Sequence, residues 1–310
     1  MKKRFFIAAA LIISGLFISC EKKPEPKQGF SVVTTIFAPY DFVRAIAGDK
    51  VELTMLLKPG AESHSYEPTP QDIITIRNSD IFIYVGGESD EWVEEVLESM
   101  DDAEMEIITL MDCVDVVEEE VVEGMEEEEE EEEGIAYDEH VWTSPANAKR
   151  MVEKISAAIC AADPENAGFY RGNTDSYLKE LDALDAGFRA VTDSAKRRTL
   201  VFGDRFPFRY FTDAYNLNYF AAFPGCSTET ECSAATIAFL INKVKDEKIP
   251  VVFYIEFSNG SIADAVCEAT GARKQLLHSA HNVSRDELAA GITYIDIMKR
   301  NAETLRGALL

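Results

Sequence analysis

Tyr177, Leu181, Leu184, Phe188 and Val191 recur at spacings of 4, 3, 4 and 3, and no other pattern in the 310 residues limits the fold as much. Three and four residues are each close to one helical turn, so all five side chains share one face of an α-helix. The helix expected over 164–194 is about 45 Å long at 1.5 Å per residue. Asp163 suits an N-cap, and Pro164 suits a first turn, where its missing N–H is not needed. A helix of that length separates two parts of the chain.

Both parts alternate strand with helix. Ahead of the stripe, strands are expected at 32–36, 51–57, 81–85 and 104–110, with helices at 38–47 and 71–78 and helical pattern from Pro145. After it come strands at 199–202, 219–223, 251–255 and 275–277, and helices at 208–215, 234–247 and 262–270. One last helix is expected over 285–309. Such alternation implies parallel strands covered by helices. The expected class is α/β, with two lobes, each a mainly parallel sheet flanked by helices, joined by one long rigid helix. The lobes fall at 30–162 and 195–310, with the linking helix at 163–194, and the length suffices for two domains. No nucleotide-binding fingerprint follows any strand, and Gly86-Gly87 alone is too little to suggest one.

The first twenty residues read as an export signal. Lys2, Lys3 and Arg4 precede an apolar run over 5–18, and Ser19 and Cys20 close it. The run falls short of the roughly 20 apolar residues of a membrane-spanning helix. A lipoprotein signal over 1–19 makes Cys20 the lipidated first residue and 20–29 a tether. The protein is then exported and held at the cell membrane, facing the periplasm or the cell exterior. Of the other five cysteines none forms a CxxC knuckle, so no structural zinc site is expected. Cys226 and Cys232 are the easiest pair to join, but their spacing leaves the disulfide open.

The net charge of −26 is concentrated: fifteen acidic residues and no Lys or Arg lie between Asp115 and Glu139, more than half of the total. Nucleic acid, which needs clustered basic side chains, is excluded as a partner. The segment 114–134, with its unbroken glutamates at 126–133, is expected to be a solvated loop that buries nothing.

Only four histidines are present: His64, His140, His278 and His281. His64 follows the expected strand 51–57, and His278 ends the strand 275–277. Asp204 follows 199–202 and Glu256 follows 251–255. Open α/β sheets bind ligands beyond the carboxyl ends of their strands. Two such edges facing each other would gather imidazoles and carboxylates, the donors of a divalent transition-metal site.

Residues 57–70, LKPGAESHSYEPTP, resemble the first metal-ligand loop of the zinc and manganese substrate-binding proteins of ABC importers, the cluster A-I or ZnuA/TroA-like family. Residues 139–145, EHVWTSP, resemble its second ligand loop and place His140 on that loop's histidine. The helix from Pro164 and the stretch YIDIMKRN at 294–301 fit as well, so the resemblance covers roughly 32–309. The second lobe departs from the pattern. Where the family has a His-Asp pair after the lobe's first strand, this chain reads Gly203-Asp204-Arg205, and either Gly203 or Asp204 stands on the histidine. The family's last ligand, usually Asp or Glu, falls on His278.

The resemblance implies a metal site of His64, His140, Asp204 and His278, with His281 as the substitute if Asp204 turns toward Arg205. Four protein ligands leave no position for water, so no enzyme activity is implied. The implied function is an extracytoplasmic receptor, monomeric, that captures Zn2+ and hands it to an ABC permease. Mn2+ is the alternative cargo, and a metal-binding surface adhesin is the alternative function. A metallo-hydrolase would need Glu256 as its base. Otherwise Glu256 reads as a supporting group or helix cap, and Glu229 and Glu231 as surface acid. The family often carries a histidine-rich loop where this chain has glutamates, which leaves the run either a solubilising loop or a weak gatherer of cations.

Overall fold

The computed structural model describes residues 29–62, 66–100, 104–125, 136–227 and 232–310. The first lobe holds β1 (Ser31–Thr34), α1 (Phe37–Ala47), β2 (Glu52–Met55), α2 (Pro70–Arg77), β3 (Ile81–Tyr84), α3 (Trp92–Glu98) and β4 (Glu106–Thr109). Its strands are all parallel, in the order β2-β1-β3-β4. Val32, Val33, Ile81, Phe82 and Ile83 are buried, as strands covered on both faces require. The helix α3 has no counterpart in the sequence-based expectation. Four acidic residues within 91–98 mask the short apolar face made by Val93 and Val96.

Two helices lead out of this lobe, α4 (Pro145–Ala162) and α5 (Ala167–Asp193). The linking helix starts three residues later than the proline signal suggested. Asp163 ends α4 instead of opening α5, and its carboxylate accepts from Asn166 Nδ2 (2.7 Å) and Tyr170 Oη (2.6 Å). The remaining 27 residues span about 40 Å. The stripe behaves as its spacing demands. Tyr177, Leu181, Leu184, Phe188 and Val191 are buried against α1, α4, α6 (Arg209–Tyr215) and α10 (Tyr294–Leu309), inside a hydrophobic core that continues from one lobe into the other.

The second lobe adds β5 (Thr199–Val201), β6 (Asn218–Phe220), α7 (Ala234–Asp246), β7 (Val251–Tyr254), α8 (Ser261–Thr270) and β8 (Arg273–Leu276). Its parallel pairs β5-β6 and β7-β8 are joined by a bridge between Phe202 and Phe253 and by Gly203 N–H donating to Phe253 O at 2.9 Å. The resulting order, β6-β5-β7-β8, repeats that of the first lobe. Gly203 is fixed by this approach, because a Cβ there would lie 2.4 Å from the Ala263 backbone. In each sheet the first strand lies between the second and third, so the loops after the first and third strands diverge and open a crevice.

The single helix expected over 285–309 is two, α9 (Arg285–Ala289) and α10. Gly291 at φ +76° breaks it, and Thr293 restarts it through a reciprocal cap with Asp296. The acidic segment also differs from expectation over its described part. Met125 is buried, Val117 and Val122 pack on the core, and Glu119 accepts from Cys226 N–H at 3.0 Å. Glu119 N–H and Asp138 N–H donate to Ala136 O and Val117 O, so the two ends of the segment pair with each other. Alternate valines hidden among the glutamates supply this burial. Residues 126–133 lie outside the described residues, as do Cys20 and His64.

Candidate metal centre

The loop after β8 crosses to the first lobe. Phe37 N–H donates to His281 O (3.0 Å), and Trp142 Nε1 donates to Ser279 O (2.8 Å). Below these, Asp41 accepts from Tyr294 N–H (2.6 Å), and Tyr294 Oη donates to Trp142 O (2.7 Å). This buried lattice brings His281 beside His140. Their rings stand 5.8 Å apart, nearly perpendicular at 87°, and Trp142 packs on His281 at 4.9 Å. Both imidazoles line one cleft between the lobes, together with Glu62, Arg205, Gly225 and Glu256.

His140 is fully buried. Asp138 Oδ1 lies 3.2 Å from its Nδ1 and accepts its backbone N–H at 2.8 Å. A carboxylate at Nδ1 favours the proton there and leaves the Nε2 lone pair able to bind a metal. Burial opposes protonation of this ring, but Asp138, Glu139 and Glu119 outweigh it and hold His140 above histidine's ordinary range. Glu139 faces the other way, onto Ser89 N–H (3.1 Å) and Ser89 Oγ (2.5 Å), and burial pushes its carboxyl up to about 7. Gly225 closes the site from the second lobe, where an added Cβ would meet Phe206 O at 2.9 Å and the His140 ring at 3.1 Å.

His278 and His281 part company within three residues. Asn301 grips His278 at its backbone, accepting N–H at 3.0 Å and donating to O at 2.7 Å, and the His278 side chain lines a surface pocket with Glu287 and Arg300. Ala280, buried at φ +61°, turns the chain so that His281 enters the cleft instead. Glu256 fixes that turn. It accepts from Ser279 N–H (2.8 Å), Ser279 Oγ (2.5 Å) and His281 N–H (3.3 Å), and lies 3.4 Å from His278 Nδ1. Asp204 stands at the base of the cleft without lining it. Its oxygens accept from Arg205 N–H (2.9 Å) and Ile255 N–H (3.3 Å), and burial raises its pKa against these bonds. Among the described residues no three His, Cys, Asp or Glu side chains converge as a metal site. Cys226 is a buried free thiol, so the Cys226–Cys232 disulfide is not formed.

The zinc-uptake complex component A (ZnuA) family model matches residues 32–308. The chain belongs to that family. The ZnuA-family member "High-affinity zinc uptake system protein ZnuA" of Bacillus subtilis is 32% identical, over 99% of this chain and 97% of the relative. The "Zinc-binding lipoprotein AdcA" of Streptococcus pneumoniae is 28% identical over 99% of this chain, which spans only 61% of that longer relative. Among solved structures, the Zn(II)-bound ZnuA-like domain of Streptococcus pneumoniae AdcA superposes with a TM-score of 0.76 at 26% identity, covering 91% of this chain and 99% of that one. The family is one of solute receptors, in keeping with the two-lobed α/β architecture.

His278 aligns with the family's last ligand, and of the two histidines it is His281 that lines the cleft with His140. Asn282 helps to place it. A buried amide beside His281, rather than beside His278, ties that histidine to the first lobe by donating to Lys58 O (2.8 Å) and Ala61 O (2.9 Å).

Proposed function

We propose that this chain is a zinc receptor that captures Zn2+ in the cleft between its lobes and delivers it to the permease of an ABC importer. The observation that carries the reading is the perpendicular pair His140 and His281, contributed by opposite lobes and buried around one cleft. His64 is the third ligand in this reading: Glu62, two residues before it, lines the same cleft. His278 and Asp204 act in support, one bound to Asn301 and the other to the turn at Arg205. Three imidazoles suit zinc, whereas manganese favours more oxygen. The work of such a site is binding and release, with no catalytic step. The zinc named in the relatives' descriptions supports the same cargo.

A lipid anchor at Cys20 fits the sequence signal and the lipoprotein description of AdcA. Among the described residues no helix is long and apolar enough to cross a membrane. Chelator competition with elemental analysis tests the function. One zinc per chain should be held tightly, and His140→Ala and His281→Ala should each weaken it by about 100-fold or more, because an incomplete shell remains. Wild-type affinity in both variants sinks the site. Loss of fatty-acid labelling in Cys20→Ala tests the anchor; labelling that persists rules it out.

A further inference from the structure

A pocket of about 300 Å3 opens between β8, the edge strand of the second sheet, and α10. Ile297, Arg300, Asn301 and Thr304 share one face of the helix and form one wall. Gln275 and Leu276 of β8 form the other, and His278 and Glu287 complete the lining. No residue is shared with the cleft that holds His140 and His281. The volume lies at the small end of ligand pockets, so an occupant is small. Ile297 and the exposed side chain of Leu276 make part of the surface apolar.

The polar groups here are of opposite kinds, and several have bonding capacity to spare. Gln275 Oε1 is buried without a hydrogen-bond partner, which costs free energy until a donor reaches it. Among the described residues the Arg300 guanidinium forms neither an ion pair nor a hydrogen bond. Glu287 spends Oε2 on Ser284, accepting its N–H (3.0 Å) and its hydroxyl (2.7 Å), and keeps Oε1 in reserve. Burial opposes ionisation of Glu287, but the Ser284 bonds and the charges of His278 and Arg300 hold its carboxyl below the ordinary range. Glu287 therefore feels Arg300 without meeting it in an ion pair. His278 Nδ1 accepts from Ala280 N–H at 3.0 Å, so a neutral ring carries its proton on Nε2 and is a further donor.

We propose that this pocket is a second ligand site, which binds a free α-amino acid with an apolar side chain. Arg300 and His278 take its carboxylate, Glu287 and Gln275 Oε1 take its ammonium group, and its side chain covers Leu276 and Ile297. The charges of the ligand decide its class. A simple anion is repelled by Glu287 and leaves Gln275 Oε1 without a donor, whereas a metal ion or plain amine is repelled by Arg300. A zwitterion satisfies both walls, and an α-amino acid carries its two charges on one small carbon frame. The site does not depend on the zinc reading.

Isothermal titration of the full chain with L-leucine, L-methionine and L-phenylalanine tests the site, and thermal melts verify folding of each variant. At least one of the three should bind saturably, one per chain, with zinc present or absent. The tightest of them should bind about tenfold or more better than its amide, which lacks the carboxylate, and than its deaminated acid, which lacks the amine. Arg300→Gln should weaken the amino acid by about tenfold and erase its advantage over the amide. Glu287→Gln keeps the cap, since glutamine serves at that position, and should erase the advantage over the deaminated acid. No saturable binding of any of the three at millimolar concentration overturns the proposal. So does an amide or deaminated acid that matches the amino acid in wild type, or wild-type affinity in both variants. Binding that appears only with zinc places the amino acid on the metal and overturns the pocket as its site.

Discussion

At the residue scale, the contrast between His278 and His281 shows how little a motif says about direction. The two are three residues apart, yet a left-handed Ala280 sends one to a surface pocket and the other into the cleft. His278→Ala should therefore change zinc affinity by no more than a few-fold while His281→Ala abolishes tight binding, a difference that isothermal titration reads directly. Protons compete with the metal at His140, whose pKa is raised. Zinc affinity should fall as pH is lowered, by up to about tenfold per pH unit for one displaced proton. Asp90, which lines a small cavity with Glu139 and His281, supplies a stability test. Burial lifts its carboxyl from 3.8 to about 6, against the N–H bonds of Val85 and Gly86. A folded-state pKa above the unfolded one means that the protonated group favours folding at low pH and that this contribution is lost as pH rises through about 6. Asp90→Asn should thus gain melting temperature over wild type at pH 7.5 and little at pH 4; an equal difference at both values argues against the assignment.

At the element scale, the linking helix was the most legible feature, because a 3.6-residue period sustained over five positions has no alternative explanation. Its boundary was not legible. Asp163 and Pro164 satisfy the rules for a helix start, but Asp163 caps the helix before, and Asn166 opens the next. The break before α10 was hidden for a similar reason. Gly291 and Thr293 lie inside a stretch whose apolar spacing runs on, and only the reciprocal Thr293–Asp296 bonds mark the restart. Phe188, fully buried on the stripe and in ring contact with Phe211 and Tyr215, joins α5 to the second lobe. Phe188→Ala should cost about 3–5 kcal/mol in urea unfolding. Because the core is continuous across the helix, the loss should appear in one transition for the whole molecule, and two separated transitions would contradict that continuity.

On the scale of the whole molecule, the receptor function asks for two lobes joined stiffly enough that metal capture needs only small motions. Buried bonds from Asp41 and Trp142 to Tyr294 and Ser279 already clamp the lobes at the floor of the cleft. Zinc, binding the folded chain and not the unfolded one, should raise the melting temperature, with about 2.7 kcal/mol gained at a hundredfold excess over Kd. Deleting residues 126–133 should leave this stabilisation intact, since the paired ends of the acidic segment and the Glu119–Cys226 bond lie outside the deletion. Disappearance of tight zinc binding in the deletion would mean that the glutamates supply a ligand.

The sequence alone determined the strand–helix alternation, the stripe that binds the lobes together and the two motifs carrying His64 and His140, because periodicity and local chemistry are written in neighbouring residues. Only the tertiary structure decided which second-lobe side chains face the cleft. That choice depends on a single left-handed residue at Ala280, on Asn301 of the last helix and Glu256 beyond a strand end gripping the loop, and on Arg205 meeting Glu62 across 143 residues. Side-chain direction at a loop is set by partners that sequence spacing does not bring together.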